Sequence, residues 1–513
     1  MALPPKSATS LQLHSITRII LNPIQTSSFP QTKKTKRMHS SKVPNNKTQC
    51  SNGVKNLIII ISFLLIIYLL CFNSSVPNTK SLHTSVSLQN DSLSDTSLEH
   101  IVFGIASNEQ AWSARKELVK MWWKPGRNMR GCVFLEKMPP NYTNNDNDSS
   151  LPPICISGDT SRFKYTFRGG TPSAIRVARV VTETVALNHS NVRWYVFGDD
   201  DTVFFTENLL KTLSKYDHGL WYYIGSNSEH FLMNKAFSYE MAFGGAGIAI
   251  SSPLAKVLGK VFDACIERYP HLFGSDARIY SCLAELGVGL THEPGFHQLD
   301  VRGNMFGVLA AHTIRPLVSL HHLEMNDPIF PNMTKMKALD LLYEAAKFDP
   351  HRILQQTVCY DRWFTWTVSV SWGYAVQIFS YNVFLPDALR IQESYFPWQT
   401  SDLARHYDFD TRPYEPDPCK RQLVYFLHNV SSEIDGKIKT IYKNKTPDNC
   451  TITMVSPRRL EEIRVVSPKL VIDRKRLLSP RRQCCDVLPS TSRNVMDIAI
   501  RECKEDELIY IHP

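Results

Sequence analysis

The chain has 513 residues, of which 43% are hydrophobic, with 12 cysteines and a formal net charge of +10. That length exceeds one ordinary core, and the apolar content excludes a wholly disordered chain. The charge does not make nucleic acid a partner: nine Lys/Arg and no Asp or Glu fall in residues 1–56, which accounts for nearly all of the excess.

Residues 1–56 therefore read as a basic tail, and residues 57–72, from Leu57 to Phe72, as an almost unbroken apolar run. With Val54 the run approaches the ~17 residues at the short end of membrane-spanning helices. The basic flank places the N-terminus in the cytoplasm, and no small-residue cleavage site follows, so the expectation is a single-pass type II signal-anchor. Residues 73–98 are Ser-, Thr- and Asn-rich and suit a flexible stem. Beyond the run lie nine Asn-x-Ser/Thr acceptors, from Asn73 to Asn449, and ten cysteines, an even number compatible with disulfides on the lumenal side. Cys132 and Cys155 flank a loop rich in Asn, Pro and Asp and are candidates for a staple.

The folded part opens at 101–107, an apolar run that predicts a strand, followed by helical spacing of Trp112, Leu118, Val119 and Trp122. Residues 131–135 predict a second strand. Gly169-Gly-Thr-Pro172 opens a helix with Ala174, Ala178, Val181 and Val185 on one stripe. The run 194–199 then reads as a buried strand that ends in Asp199, Asp200 and Asp201. Alternating strands and helices imply an α/β fold with a mostly parallel sheet, in which ligands sit beyond the carboxyl ends of strands. Three like charges at such an end resist desolvation, and a hard divalent cation, Mg²⁺ or Mn²⁺, would neutralise them. A solvated acidic turn is the plain alternative.

Further on, 220–225 predicts a strand, and 243–251 joins a glycine-rich turn to another, where Gly245 lets backbone approach a ligand closely. A helix is expected over 275–286 with Ser275 as its cap and Gly287 as its stop. Residues 316–323 predict a strand terminating in His321 and His322. From about residue 349 the texture becomes β-rich, with alternation at 363–373, 375–379 and 422–426 and six cysteines. The basic stretch 456–482 reads as a solvated face.

The acidic strand end, the Gly244-Gly-Ala-Gly247 turn, Ser275-Asp276, Glu293-Pro-Gly-Phe-His297 and Ser319-Leu-His-His322 together resemble the Fringe-related, β-1,3-galactosyltransferase-type glycosyltransferases. The plant Fringe-like group is the nearer likeness, since it shares Cys359-Tyr-Asp, Val368-Ser-Val-Ser-Trp-Gly and Asp410-Thr-Arg-Pro413. The resemblance covers roughly residues 99–430. It implies a GT-A catalytic domain over 99–348, with a C-terminal extension over 349–513. It also implies a UDP-sugar donor, Mn²⁺ or Mg²⁺, a glycan or glycoprotein acceptor, inversion, and a Golgi membrane location.

By that resemblance Asp199 and Asp201 hold the metal with His321 or His322, and Asp276 is the base. Arg115, Asp199, Asp200 and Gly245 are the positions expected to touch the donor. The family's usual Pro-Asp-Asp around the base is Gly274-Ser275-Asp276 here. Two other readings compete. Asp199-Asp200-Asp201-Thr202-Val203 also fits the nucleophile motif of haloacid-dehalogenase-like phosphatases, and a non-catalytic glycan-binding protein could keep the same fold.

Overall fold

Alternation along the strands builds two cores, one on each face of a sheet. The computed structural model describes residues 96–513 except 141–147, 399–405, 445–449, 451–454, 491 and 512–513, and before them only Ile61. The expected tail, span and stem therefore lie outside the described residues, apart from Ile61 and the stem's last three positions. No helix among the described residues is long and apolar enough to cross a membrane.

Seven strands form the first sheet, in the spatial order Ile154–Ile156, Arg130–Leu135, Ile101–Ala106, Trp194–Asp199, Ile248–Ser251, Tyr223–Gly225 and Leu290–His292. The first four run parallel. Ile248–Ser251 runs antiparallel to both neighbours, so the sheet is mixed. Ile101, Phe103 and Ile105 point to one face, where the Glu109–Trp122 helix brings Trp112, Val119 and Trp122. Val102 and Ala106 point to the other, covered by the Ser173–Ala186, Ser252–Ile266 and Ser275–Glu285 helices. This period-two division is what a strand covered by helices on both faces requires.

Eight strands form the second sheet, in the order Gln356–Tyr360, Thr367–Ser371, Ala375–Phe379, Leu423–Ser432, Ile438–Lys443, Glu462–Ser467, Val495–Arg501 and Cys484–Leu488. The pairs are antiparallel except Glu462–Ser467 with Val495–Arg501. Its two edge strands are joined by Cys359–Cys485, and Arg482 donates to the Gln356 carbonyl at 2.6 Å, so the sheet curls round. The Lys335–Phe348 helix buries Ala338, Leu339 and Leu342 in the same core as Trp372 and Tyr374, and that core reaches Phe103 and Trp122. All ten cysteines beyond residue 72 are paired. The expected Cys132–Cys155 bond is present, with Cys265–Cys282, Cys419–Cys450 and Cys484–Cys503 besides.

Three expected strands are shorter than their apolar runs. Only Tyr223–Gly225 pairs, because Leu220 and Trp221 are exposed. Within 316–323 only Ser319–Leu320 pairs, and the run stops where His322 takes a left-handed φ of 53°. Trp363 and Phe364 belong to a turn whose amides both donate to Asp361 Oδ2, so that strand begins at Thr367.

Candidate metal and transfer site

Two parallel strands, Ile101–Ala106 and Trp194–Asp199, finish side by side with Ala106 opposite Asp199. The chain turns there: the Asp200 amide donates to the Ala106 carbonyl at 3.1 Å, and the Thr202 amide to the Asp199 carbonyl at 3.1 Å. Thr202 Oγ1 accepts from the Asp199 amide and donates to the Gly245 carbonyl, both at 2.8 Å, tying the acidic turn to the glycine turn. Val203–Phe204 then pairs antiparallel with Ser319–Leu320, which also lies parallel to Phe296–His297. This small sheet delivers His321 from over a hundred residues away.

Each carboxylate meets a different environment. Asp200 accepts from Ser107 Oγ and from Arg115 Nη1 at 2.9 Å. Burial, with Asp201 beside it, pushes its carboxyl up to about 6. Asp199 keeps 36% of its side chain exposed. Burial of the rest pushes it up to about 7; His321 opposes that shift, while Asp201, Asp276 and Asp200 add to it. Asp201 is 1% exposed, and neither of its oxygens makes a hydrogen bond. Burial alone would raise its carboxyl, but His321 and Arg115 hold it below the usual carboxylate range.

His321 Nε2 lies 3.0 Å from Asp201 Oδ1 and 3.7 Å from Asp199 Oδ2, while Nδ1 lies 3.3 Å from the Gln298 carbonyl. Burial would lower the imidazole, yet Asp201 and Asp199 raise it to about 9. Ligand atoms of Asp199, Asp201 and His321 all lie within 4.8 Å of one another. Buried oxygens and a ring nitrogen without hydrogen bonds, facing one point, fit a cation, since such groups otherwise find partners. Two carboxylates and an imidazole suit Mn²⁺ better than Mg²⁺, which prefers oxygen alone.

His322 is not in this group. Its Nδ1 faces Asp300 Oδ1 at 3.4 Å, and its ring stacks on Trp398 at 5.0 Å. Arg115 lines the cleft, but its guanidinium is engaged by Asp200, by Asp201 at 3.4 Å and by Glu324. Gly245 has a steric reason: a Cβ there would lie 2.2 Å from His321 Cε1. Asp276 sits in the first turn of the Ser275–Glu285 helix, where Gly274 and not Ser275 holds the cap position. Ser275 Oγ donates to Asp276 Oδ1 at 3.0 Å instead. Burial raises the Asp276 carboxyl, opposed by hydrogen bonds from the Gly244 amide and Ser275.

Arg115, Asp199, Asp200, Gly245, Asp276, His321 and His322 line one cleft of about 570 Å³, and the buried Asp201 lies outside that lining. Ser107, Asn108, Lys137 and Arg176 give it a polar wall beyond the parallel strands; Phe237, Met241, Phe243 and Phe273 give it an apolar wall beside Asp276. Glu324, Gln298, Asp300 and Trp398 were not expected from the sequence. Only Glu324 carried a signal, as an acid three residues past His321.

Residues 233–485 match the family described as a protein of unknown function, DUF604. Over 114 residues the chain is 31% identical to a β-1,3-glucosyltransferase of Mus musculus, covering 22% of each protein. It thus spans about 22% of the length of that curated relative. A solved structure of an active-site mutant of LgtC overlays 48% of this chain and 95% of its own, at 13% identity and a TM-score of 0.29.

Proposed function

We propose that this chain is a metal-assisted, inverting glycosyltransferase. It would move a hexosyl group from a UDP-sugar to a hydroxyl of a glycan or glycoprotein. The observation that carries the reading is the convergence of Asp199, Asp201 and His321, with both Asp201 oxygens buried and without a hydrogen bond, where Asp199 and His321 line one cleft with Asp276. The similarity to a β-1,3-glucosyltransferase supports the reaction class and suggests a β-1,3 linkage. The parallel strands that end at the acidic turn suit a GT-A arrangement.

Asp199, Asp201 and His321 would hold the metal, which when bound supplies positive charge opposite the oxygens of the departing nucleoside diphosphate. Arg115 favours the ionised forms of Asp200 and Asp201 and holds both in place through its paired guanidinium. Gly245 leaves room for the His321 ring. An Asp276 carboxylate oxygen takes the proton of the acceptor hydroxyl, and its raised pKa brings it nearer to operating pH than an ordinary aspartate. The apolar wall beside it excludes water from the accepting face.

Five disulfides support an oxidising compartment, consistent with a lumenal domain on a type II anchor at 57–72 in the Golgi membrane. The test is release of UDP from a panel of nucleotide sugars by the full chain with Mn²⁺, beside Asp201→Ala and Asp276→Asn. Metal-dependent release from one donor, lost in both variants, is the expected result. A folded chain that turns over no donor would defeat the enzymatic reading and leave glycan binding. Phosphate release from phosphomonoesters would favour the dehalogenase-like alternative.

A further inference from the structure

The segment after the Ala375–Phe379 strand leaves the second sheet and returns to the cleft. Tyr395–Pro397 pairs antiparallel with Val301–Gly303, placing Phe396 opposite Arg302. The next residue, Trp398, is 8% exposed. Its ring lies nearly parallel to that of His322, at 17° and 5.0 Å, and the Arg302 guanidinium carbon sits 4.0 Å from its centroid. On the inner side the His322 ring contacts the His321 ring at 3.7 Å. The result is a chain of contacts running Arg302, Trp398, His322, His321.

His322 needs such support. Its φ of 53° is a left-handed conformation that a non-glycine residue holds only when its surroundings impose it. Asn326 Nδ2 donates to its carbonyl at 3.0 Å and Asp300 faces its Nδ1, which fixes backbone and ring edge but not the ring's outer face. Trp398 closes that face. Gly245 leaves His321 no slack on its other side.

We propose that Trp398 is a positioning residue for the metal: by clamping His322 it sets the His321 ring against Asp199 and Asp201. The segment between the Ala375–Phe379 and Leu423–Ser432 strands thereby supports a site whose ligands all lie before residue 349, and this is what that part of the C-terminal extension contributes to catalysis. The inference rests on the metal reading above. Groups behind a ligand histidine orient it, and removing them weakens binding by about 10- to 100-fold.

The experiment measures Mn²⁺ binding to the full chain without donor, reading free Mn²⁺ by electron paramagnetic resonance, beside the metal-free melting temperature. Trp398→Ala should weaken binding at least about tenfold, while Trp398→Phe, which keeps a flat ring, should stay within about threefold of the unmodified chain. Rescue by Phe separates positioning from general loss of packing. Equal affinity in the Ala variant would overturn the proposal and leave the metal reading standing. Failure of the unmodified chain to bind Mn²⁺ would overturn both. Should Trp398→Ala not fold, Arg302→Gln strips the outer face of the stack, and unchanged affinity there would count against the clamp.

Discussion

Two buried Asp–Arg contacts behave differently in this molecule, and the contrast separates structure from function. Beneath the second sheet, Asp349 and Arg352 are 0% and 1% exposed. Arg352 donates to Asp349 at 2.9 Å, to Gln483 at 2.5 Å and to the Pro468 carbonyl at 2.6 Å, while Asp349 Oδ2 also accepts from the Leu470 amide at 3.0 Å. That pair staples the end of the Lys335–Phe348 helix to the later strands. Beside the cleft, Asp201 is equally buried, but Arg115 and His321 approach it without making a hydrogen bond to either oxygen. Both aspartates keep a buried oxygen without a hydrogen bond; what separates them is company, since Asp201 converges with Asp199 and His321 while Asp349 belongs to no such cluster among the described residues.

The strongest way to break the comparison is Asp201→Ala. It should lower sugar transfer by at least about a thousandfold and abolish Mn²⁺ binding. The melting temperature should change little, because Arg115 keeps Asp200 and Glu324. A large fall in melting temperature would make Asp201 structural.

Asp349→Ala should do the reverse. It strands Arg352 in the core, so equilibrium denaturation should show a loss of about 3–5 kcal/mol while the folded fraction binds Mn²⁺ normally.

Gly245→Ala sharpens the geometry of the cleft. The new methyl meets the His321 ring at 2.2 Å from its built position, so Mn²⁺ affinity should fall about 10- to 100-fold. Binding as tight as that of the unmodified chain would show that the ring can yield.

The smallest expected effect concerns acid stability. Buried His312 contacts His297 Nε2 at 2.9 Å. Burial, with His297 and Arg482 adding to it, lowers its imidazole to about 3. The unfolded chain therefore binds a proton between about pH 6.5 and 3 that the folded chain refuses. Stability from this group is complete above pH 6.5 and declines below it, by at most about 1.4 kcal/mol per pH unit. Melting curves from pH 7 to 5 should show the decline, and His312→Gln should flatten it.

Much of this was legible in the chain itself. The continuous apolar runs at 101–106 and 194–199 showed strands buried on both faces, and strand geometry then sends alternate side chains to opposite helix layers. Three carboxylates at the end of a buried strand marked the site, because burial of like charge needs compensation wherever it occurs. The even cysteine count was compatible with disulfides but named only one of the five pairs, since pairing depends on chain positions far apart.

Only the tertiary structure separated the surroundings of the two histidines. Adjacent residues have the same local chemistry. The pairing of Ser319–Leu320 with Val203–Phe204 and the left-handed turn at His322 send one ring to Asp201 and the other to Asp300. Glu324 and Trp398 approach these residues from separate stretches for the same reason: their contacts are set by distances across the fold, which no periodicity along the chain encodes.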